Sequence, residues 1–114
     1  MATSETPISG SNSADPAAAT ETVVYTSPTA GAGTVISTIV ACNRGAADIA
    51  VRIGISPGGG ALGNSEYIVF DHTVVGNDAL DLTLGITLAA DDEIRVETDI
   101  ATASFSVFGM ELGS

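Results

Sequence analysis

The sequence predicts an all-β fold: a seven- to eight-stranded antiparallel β-sandwich, jelly-roll-like in form, with an extended N-terminal arm. Three observations predict it. Short segments alternate apolar and polar residues, turn residues separate these segments about every ten residues, and nothing after residue 22 has a helix-like pattern. In the segment 49–55, Ile49, Val51, Ile53 and Ile55 take alternate positions. Because successive strand side chains point to opposite faces, this is the pattern of a half-buried strand.

The remaining strands follow from the same alternation and from the turn residues that bound it. The first strand ends at Pro28, the Gly-rich turn 31–33 precedes the second, and Asn43-Arg44-Gly45 precedes the third. The segment 66–72 is apolar on both faces, which predicts a central strand, and 84–90 favours a bend between two strands over a short helix. The predicted strands are 22–26, 34–42, 48–56, 66–72, 79–88, 93–98 and 103–112.

Residues 1–20 differ from the β-sandwich domain predicted for 21–114. The stretch 9–20 consists of small and polar residues and cannot bury enough apolar surface to offset its chain entropy. We expect a flexible or partner-bound arm. The candidate partner-binding residues are Pro7, Ile8, Pro16 and Tyr25.

Composition narrows the function classes. The net charge is −11, and the chain has three arginines and no lysine. Nucleic acids and anionic membranes both require cationic groups, so we expect neither as a partner. Cys42 is the single cysteine, which excludes an intrachain disulfide, and we expect it to be a small buried residue. The first residues lack a secretory signal pattern, and no apolar run is long enough to span a bilayer.

Two segments invite a catalytic interpretation and do not support it. The Gly-rich segment 56–64 lacks the following helix and the lysine of a phosphate-binding loop, so it predicts a hairpin loop. His72 is the single histidine, and its neighbour Asp71 points to the opposite face of a strand. We therefore predict no enzymatic activity and no cofactor.

The charged residues offer two further interpretations. The acidic clusters at 91–93 and 77–81 lack the alternating carboxylates of a calcium loop, so solvated turns are favoured over a calcium site. A carboxylate pair for glycoside hydrolysis stays a weaker alternative. Arg44, Arg52 and Arg95 are each expected to pair with a nearby acid, and Arg52 and Arg95 to connect neighbouring strands.

Five segments carry a resemblance to a known class of protein: TIVACNRG (38–45), VRI (51–53), EYIVFD (66–71), ND (77–78) and LTLGITL (82–88). Together they resemble small β-sandwich virion structural proteins of tailed bacteriophages, of the cyanophage and marine phage type. The resemblance covers about residues 22–112 and excludes the arm. It implies a compact β-domain on the particle, either cementing the capsid surface or forming part of a tail or fibre.

The resemblance and the residue patterns agree on a function. The expected role is a capsid decoration (cement) protein that binds the major capsid protein and stabilises the shell. In that role, the arm adds a strand to a sheet edge and the body forms a homodimer or homotrimer. The implied location is the capsid surface of the virion, after synthesis in the host cytoplasm. The alternative is a tail or fibre module that binds a host receptor or glycan.

Overall fold

The computed structural model describes residues 5–8 and 12–113, and these residues form ten β-strands and no α-helix. The all-β prediction is confirmed. The strands are β1 Glu5–Pro7, β2 Ser13–Ala14, β3 Thr22–Thr26, β4 Gly33–Asn43, β5 Ile49–Ser56, β6 Tyr67–Val74, β7 Ala79–Leu82, β8 Ile86–Leu88, β9 Glu93–Thr98 and β10 Ala103–Leu112. One 3₁₀ turn, Asn64–Glu66, precedes β6.

The strands form two antiparallel sheets that face each other as a sandwich. Sheet A has the order β1-β10-β4-β7, with β2 also paired to β10 and β8 also paired to β4. Sheet B has the order β3-β9-β5-β6. The chain changes sheet after β2, β3, β4, β6, β8 and β9, so each sheet is built from strands distant in sequence.

The core lies between the sheets and comes from the alternating positions that the sequence indicates. Sheet B contributes residues such as Val51, Ile53 and Val96, and sheet A contributes Phe105 and Val107, all completely buried. Few aromatic residues enter it, so branched aliphatic side chains fill most of the space between the sheets. Burial of each of these side chains stabilises the fold by roughly 1.5–3 kcal/mol.

Two sequence expectations are wrong. The strand predicted at 66–72 is not central, because β6 forms an edge of sheet B. Its apolar residues on both faces reflect bulges in β6 and a partly exposed aromatic cluster rather than two covered faces. Cys42 is half-buried rather than buried, because Ala41 and Asn43 take the inward positions of β4 on either side of it.

The long segment 79–88 is divided as its composition predicts. β7 and β8 both pair with β4, and a bend at 83–85 separates them. Gly85 has a φ of 62° in this bend, which a residue without a side chain adopts at low cost. Leu80, Leu82 and Ile86 pack against the core, whereas Leu84 is exposed at the bend.

Candidate functional site

The N-terminal arm covers the free edge of β10. β1 pairs with Met110–Leu112 and β2 pairs with Phe105–Ser106. Between them, the Ile8 amide donates a hydrogen bond to the Gly109 carbonyl over 3.1 Å. The Asn12 carbonyl accepts one from the Val107 amide over 2.9 Å, and its Nδ2 donates to the Val107 carbonyl over 2.8 Å. The arm therefore satisfies backbone groups of β10 from one end of the strand towards the other.

The arm is held unequally along its length. All three residues of β1 are exposed. Further along, Ala14 packs against the core, Pro16 is buried, and Asp15 forms an ion pair of 2.8 Å with Arg44. Packing thus fixes the region around residues 14–16, whereas backbone hydrogen bonds provide most of the attachment of β1.

Pro7 limits the pairing of β1 to one side. Since the neighbouring Ile8 amide bonds to β10, the antiparallel alternation directs the Pro7 nitrogen away from β10. Proline has no N–H, so the outer edge of β1 lacks a donor there. This arrangement allows β1 to be an edge strand while discouraging addition of another strand outside it.

The four candidate partner-binding residues have different environments. Pro7 is exposed in β1, opposite Met110. Ile8 is partly buried against the core and Pro16 is buried. Tyr25 lies on β3 of the other sheet and is 3% exposed. The structure brings Pro7 and Ile8 together on the β10 edge and leaves Tyr25 inside the sandwich.

The Tyr25 hydroxyl connects the two sheets through a buried polar network. It donates to Glu111 Oε2 over 2.6 Å and lies 3.0 Å from Thr34 Oγ1, which in turn lies 2.8 Å from Ser27 Oγ. Burial, followed by the hydrogen bond to the Glu111 carboxylate, raises the pKa of Tyr25 to about 12. The network is structural, because its polar groups are directed at each other.

The outward surface of β4 and β10, here called the outer face of sheet A, carries no charged side chain. β4 contains no acidic or basic residue, and the single one in β10, Glu111, bonds to Tyr25 inside the sandwich. The outward residues alternate with buried ones and are Val35, Ser37, Thr38, Val40, Cys42, Ser104, Ser106, Phe108 and Met110. Charges border this face at Glu5 of β1 and Asp81 of β7.

Apolar side chains are exposed on this face. Phe108 is 49% exposed, and Val35 and Met110 are each 39% exposed. Met110 lies directly opposite Val35 across β10 and β4, and Pro7 lies opposite Met110 on the other side. The outer face of sheet A is thus an uncharged, partly apolar surface that continues into the arm.

The outward surface of sheet B is charged. Arg52 Nε donates to Asp71 Oδ1 over 2.6 Å, and its guanidinium lies 3.9 Å from Glu97. Arg95 pairs with Glu21 over 3.0 Å and with Glu93 over 2.8 Å. The hydrogen bond from Arg52 lowers the pKa of Asp71. The prediction that each arginine pairs with a nearby acid is confirmed, and Arg52 does connect neighbouring strands.

An aromatic cluster on β6 was missed by sequence reasoning. The Tyr67 and Phe70 rings meet edge to face with centroids 5.0 Å apart, and the Arg52 guanidinium carbon lies 4.1 Å from the Phe70 centroid. A regular strand places residues three apart on opposite faces. Two bulges in β6 alter that alternation, and Asp71 has a φ of 53° beside one of them.

This cluster borders a shallow open concavity. Asn64, Tyr67 and Phe70 line a volume of about 470 Å³. Phe70 is 57% exposed, the most exposed large apolar side chain of the described residues. An exposed aromatic ring beside an amide is a surface on which a small polar ligand can stack and form hydrogen bonds.

The other candidate segments have local structural roles. The Gly-rich loop joins β5 to β6, as predicted, and its Gly58 amide donates to Asp92 Oδ1 over 2.9 Å. The Ala89 amide donates to the other oxygen of Asp92 over 2.9 Å. His72 is exposed on β6. Within residues 5–8 and 12–113, no three His, Cys, Asp or Glu side chains are grouped to hold a metal ion.

Comparison with protein-family models, with curated proteins and with solved structures returned no match. The described residues also include no helix with the length and apolarity needed to cross a membrane.

Proposed function

We propose that this chain is a non-enzymatic virion structural protein of a tailed bacteriophage, acting as a capsid decoration protein. In this role it binds the major capsid protein through its N-terminal arm, on the outer surface of the shell. Its β-body associates with further copies of itself. The observation that carries the proposal is the arm, a set of short strands covering the edge of a much longer one.

The arm is suited to exchange because of what covers the other sheet edges. β10 has ten residues, whereas β1 and β2, which cover its edge, have three and two. At the opposite edge of sheet A, β7 and β8 are also short, and the β6 edge of sheet B is bulged. Short or bulged edges resist addition of strands. An arm lifted from β10 therefore opens the long edge and frees its own backbone for another sheet.

Such an exchange should change the free energy only slightly, because the hydrogen bonds lost and formed are of the same kind. Each backbone hydrogen bond contributes about 0.5–1.5 kcal/mol to stability, and pairing β1 with a shell strand replaces the bonds it leaves on β10. Strand addition depends little on side-chain identity, which fits the small and polar composition of the arm. Many weak attachments repeated over a shell give strong retention through multivalency.

Shell binding by a truncated chain tests the proposal. A variant lacking residues 2–11 loses β1 and keeps Asn12, β2 and the buried Pro16. We expect it to keep its circular dichroism spectrum and to lose at least tenfold in co-sedimentation with shells of the phage's major capsid protein. Val75→Ser, a change at an exposed apolar residue outside the arm, is the control and should bind like the full-length chain.

Two results would contradict the proposal separately. Full-length protein that does not co-sediment with shells excludes the decoration role. A folded truncated variant that binds as well as the full-length chain excludes attachment by the arm.

The Phe70 cluster favours a second candidate, a tail or fibre module that binds a host receptor or glycan. In that role the exposed ring of Phe70 stacks on a sugar, and Asn64 supplies hydrogen bonds. Purified protein added in excess to host cells should then block phage adsorption, and Phe70→Ala should remove the block while Phe108→Ala keeps it. Failure of the wild-type protein to block adsorption excludes this candidate.

A further inference from the structure

We propose that a second copy of this chain covers the outer face of sheet A, so that the protein is a dimer with these faces packed against each other. This inference rests on the proposed function, which includes self-association, and identifies the surface and the number of copies.

The outer face of sheet A differs from the outer face of sheet B because it carries no charged side chain. With a net charge of −11, two copies that meet through acidic surfaces repel each other. β4 and β10 contribute no outward charge, so contact through them keeps the acidic groups at the rim, at Glu5 and Asp81. The outer face of sheet B lacks this property, because Arg52, Arg95 and their acidic partners lie on it.

The same distribution argues for a second copy over a basic partner. A lysine or arginine placed on the outer face of sheet A loses hydration and finds no carboxylate at its centre. Phe108, Val35 and Met110 instead match an uncharged apolar surface, and an identical copy supplies one. Methionine side chains adapt to irregular contacts, which suits Met110 to such an interface.

Sheet A, with the charged margins of the outer face included, is large enough for a small specific interface. Counted from β1 to β7, sheet A is four strands wide, and β10 is ten residues long, so each copy offers about 600 Å² of projected area at ordinary strand spacing, of which the uncharged strands β4 and β10 provide about half. Two copies bury about 1,200 Å² in total, near the lower end for stable protein–protein interfaces. Sheets pack face to face readily, and the same patch on both subunits closes as a twofold dimer.

The dimer also leaves the arm in a useful position. Pro7 lies opposite Met110 at the margin of the face, so each arm runs along the rim of the interface. A twofold axis through the interface then places the two arms at opposite rims. Each dimer thus presents two strands for exchange, which increases retention on a repeating lattice.

Sedimentation analysis of the full-length protein between about 1 and 200 µM tests the proposal. For a chain of 11.3 kDa, we expect a species of twice that mass at the upper concentrations. Phe108→Glu and Met110→Glu each place two like charges in the interface and should weaken association at least tenfold. Phe70→Glu puts the same change on sheet B and should dimerise like the wild type.

Each outcome bears on the proposal. Phe108 is about half exposed in the single chain, so Phe108→Glu should fold, and Phe108→Ser provides a milder second variant. A wild-type protein that stays monomeric at the highest concentration, or a Phe108→Glu variant that dimerises normally, overturns the dimer. Loss of the dimer in Phe70→Glu with retention in Phe108→Glu also overturns it.

Shell binding, measured on the same proteins, separates this inference from the proposed function. A monomeric wild-type chain that still binds shells overturns the dimer and leaves the decoration role standing. A dimer that does not bind shells overturns the decoration role and leaves the interface standing.

Discussion

Asn43 and Tyr25 place polar groups inside the sandwich and satisfy them with partners distant in sequence. Asn43 is 1% exposed, and its Nδ2 donates to the carbonyls of Ala47 and Val74 over 2.8 and 3.1 Å. Its Oδ1 accepts from Thr102 Oγ1 over 3.0 Å. One side chain thus connects the turn after β4 to the end of β6 and the start of β10, although its segment in the sequence indicates no more than a turn.

Replacing Asn43 should lower the free energy of unfolding more than replacing an exposed asparagine does. In Asn43→Ala the buried carbonyls lose their donor, and each such loss costs roughly 1–3 kcal/mol. We expect the free energy of unfolding to fall by about 3 kcal/mol in urea titrations. Asn64→Ala, an exposed control, should change it by less than about 0.5 kcal/mol. Equal effects of the two substitutions would contradict the role assigned to Asn43.

Tyr25 should make stability fall at alkaline pH. Its pKa is about 12 in the folded chain and about 10 when unfolded. Because the folded state favours the protonated phenol, this stabilisation is complete below about pH 10 and is lost as the pH rises through about 12.

Comparison with Tyr25→Phe isolates this effect. The variant should be less stable than the wild type at pH 7, since it loses the hydrogen bond to Glu111. The difference should narrow as urea titrations move from pH 10 to pH 12, because phenylalanine has no proton to lose. A constant difference over that range would contradict the assignment.

At the scale of elements, the pairing of β4 with β10 contains a shift that one glycine permits. The register changes between Phe108 and Gly109. A Cβ on Gly109 would meet the Val35 carbonyl oxygen and lie 2.9 Å from Ile36 Cα, both on the backbone of the neighbouring strand. Backbone atoms in a paired strand cannot move aside cheaply, so this close approach requires glycine.

Gly109→Ala should therefore destabilise the chain more than a substitution at the bend before β8. Gly85 has a φ of 62°, and a Cβ added there would meet no atom within 4 Å, so Gly85→Ala costs about 1 kcal/mol from backbone conformation alone. We expect about 3 kcal/mol for Gly109→Ala because of overpacking. Thermal unfolding of both variants shows which substitution destabilises the chain more. A smaller loss of stability in Gly109→Ala than in Gly85→Ala would refute the packing argument.

The strands of the β-sandwich domain could be predicted from the sequence, but their positions within the two sheets were harder to predict. The predicted bounds match β3, β9 and β10 to the residue, because alternation and turn residues are local signals. The edge position of β6 and the contact between Tyr67 and Phe70 were not predictable. Both depend on bulges in the pairing of β6 with β5, and bulges are set by the partner strand.

At the scale of the whole molecule, the excess of acidic over basic residues affects the stability of the fold. The net charge of −11 is carried on a chain with three basic residues, and each of those already contacts acids. Most acidic groups thus lack a cationic neighbour to offset mutual repulsion. Repulsion of this kind destabilises a compact state and is screened by salt.

Raising sodium chloride from about 0.02 to 0.5 M should raise the Tm by roughly 5 °C, because screening weakens this repulsion. The exposed ion pair of Arg52 with Asp71 weakens under the same conditions but contributes little to stability. The part-buried pairs of Arg95 with Glu21 and Glu93 are screened less by salt. A Glu5→Gln and Asp81→Asn double variant, with two acids fewer, should show a smaller rise. Differential scanning calorimetry measures the Tm of the wild type and of the double variant at each salt concentration. A Tm that falls with salt would contradict the prediction.

The sequence by itself determined the fold class, most strand positions, the separate composition of the arm and the acidic surface, because each depends on local pattern or total composition. The tertiary structure decided which strands are neighbours, and hence what the arm covers and which surfaces lack charge. The outer face of sheet A forms only because β4 and β10 lie side by side. These strands are distant in sequence: Asn43 and Ala103, which pair across them, are 60 residues apart. Pairing over such a distance is set by the packing of the whole core, which no local pattern encodes.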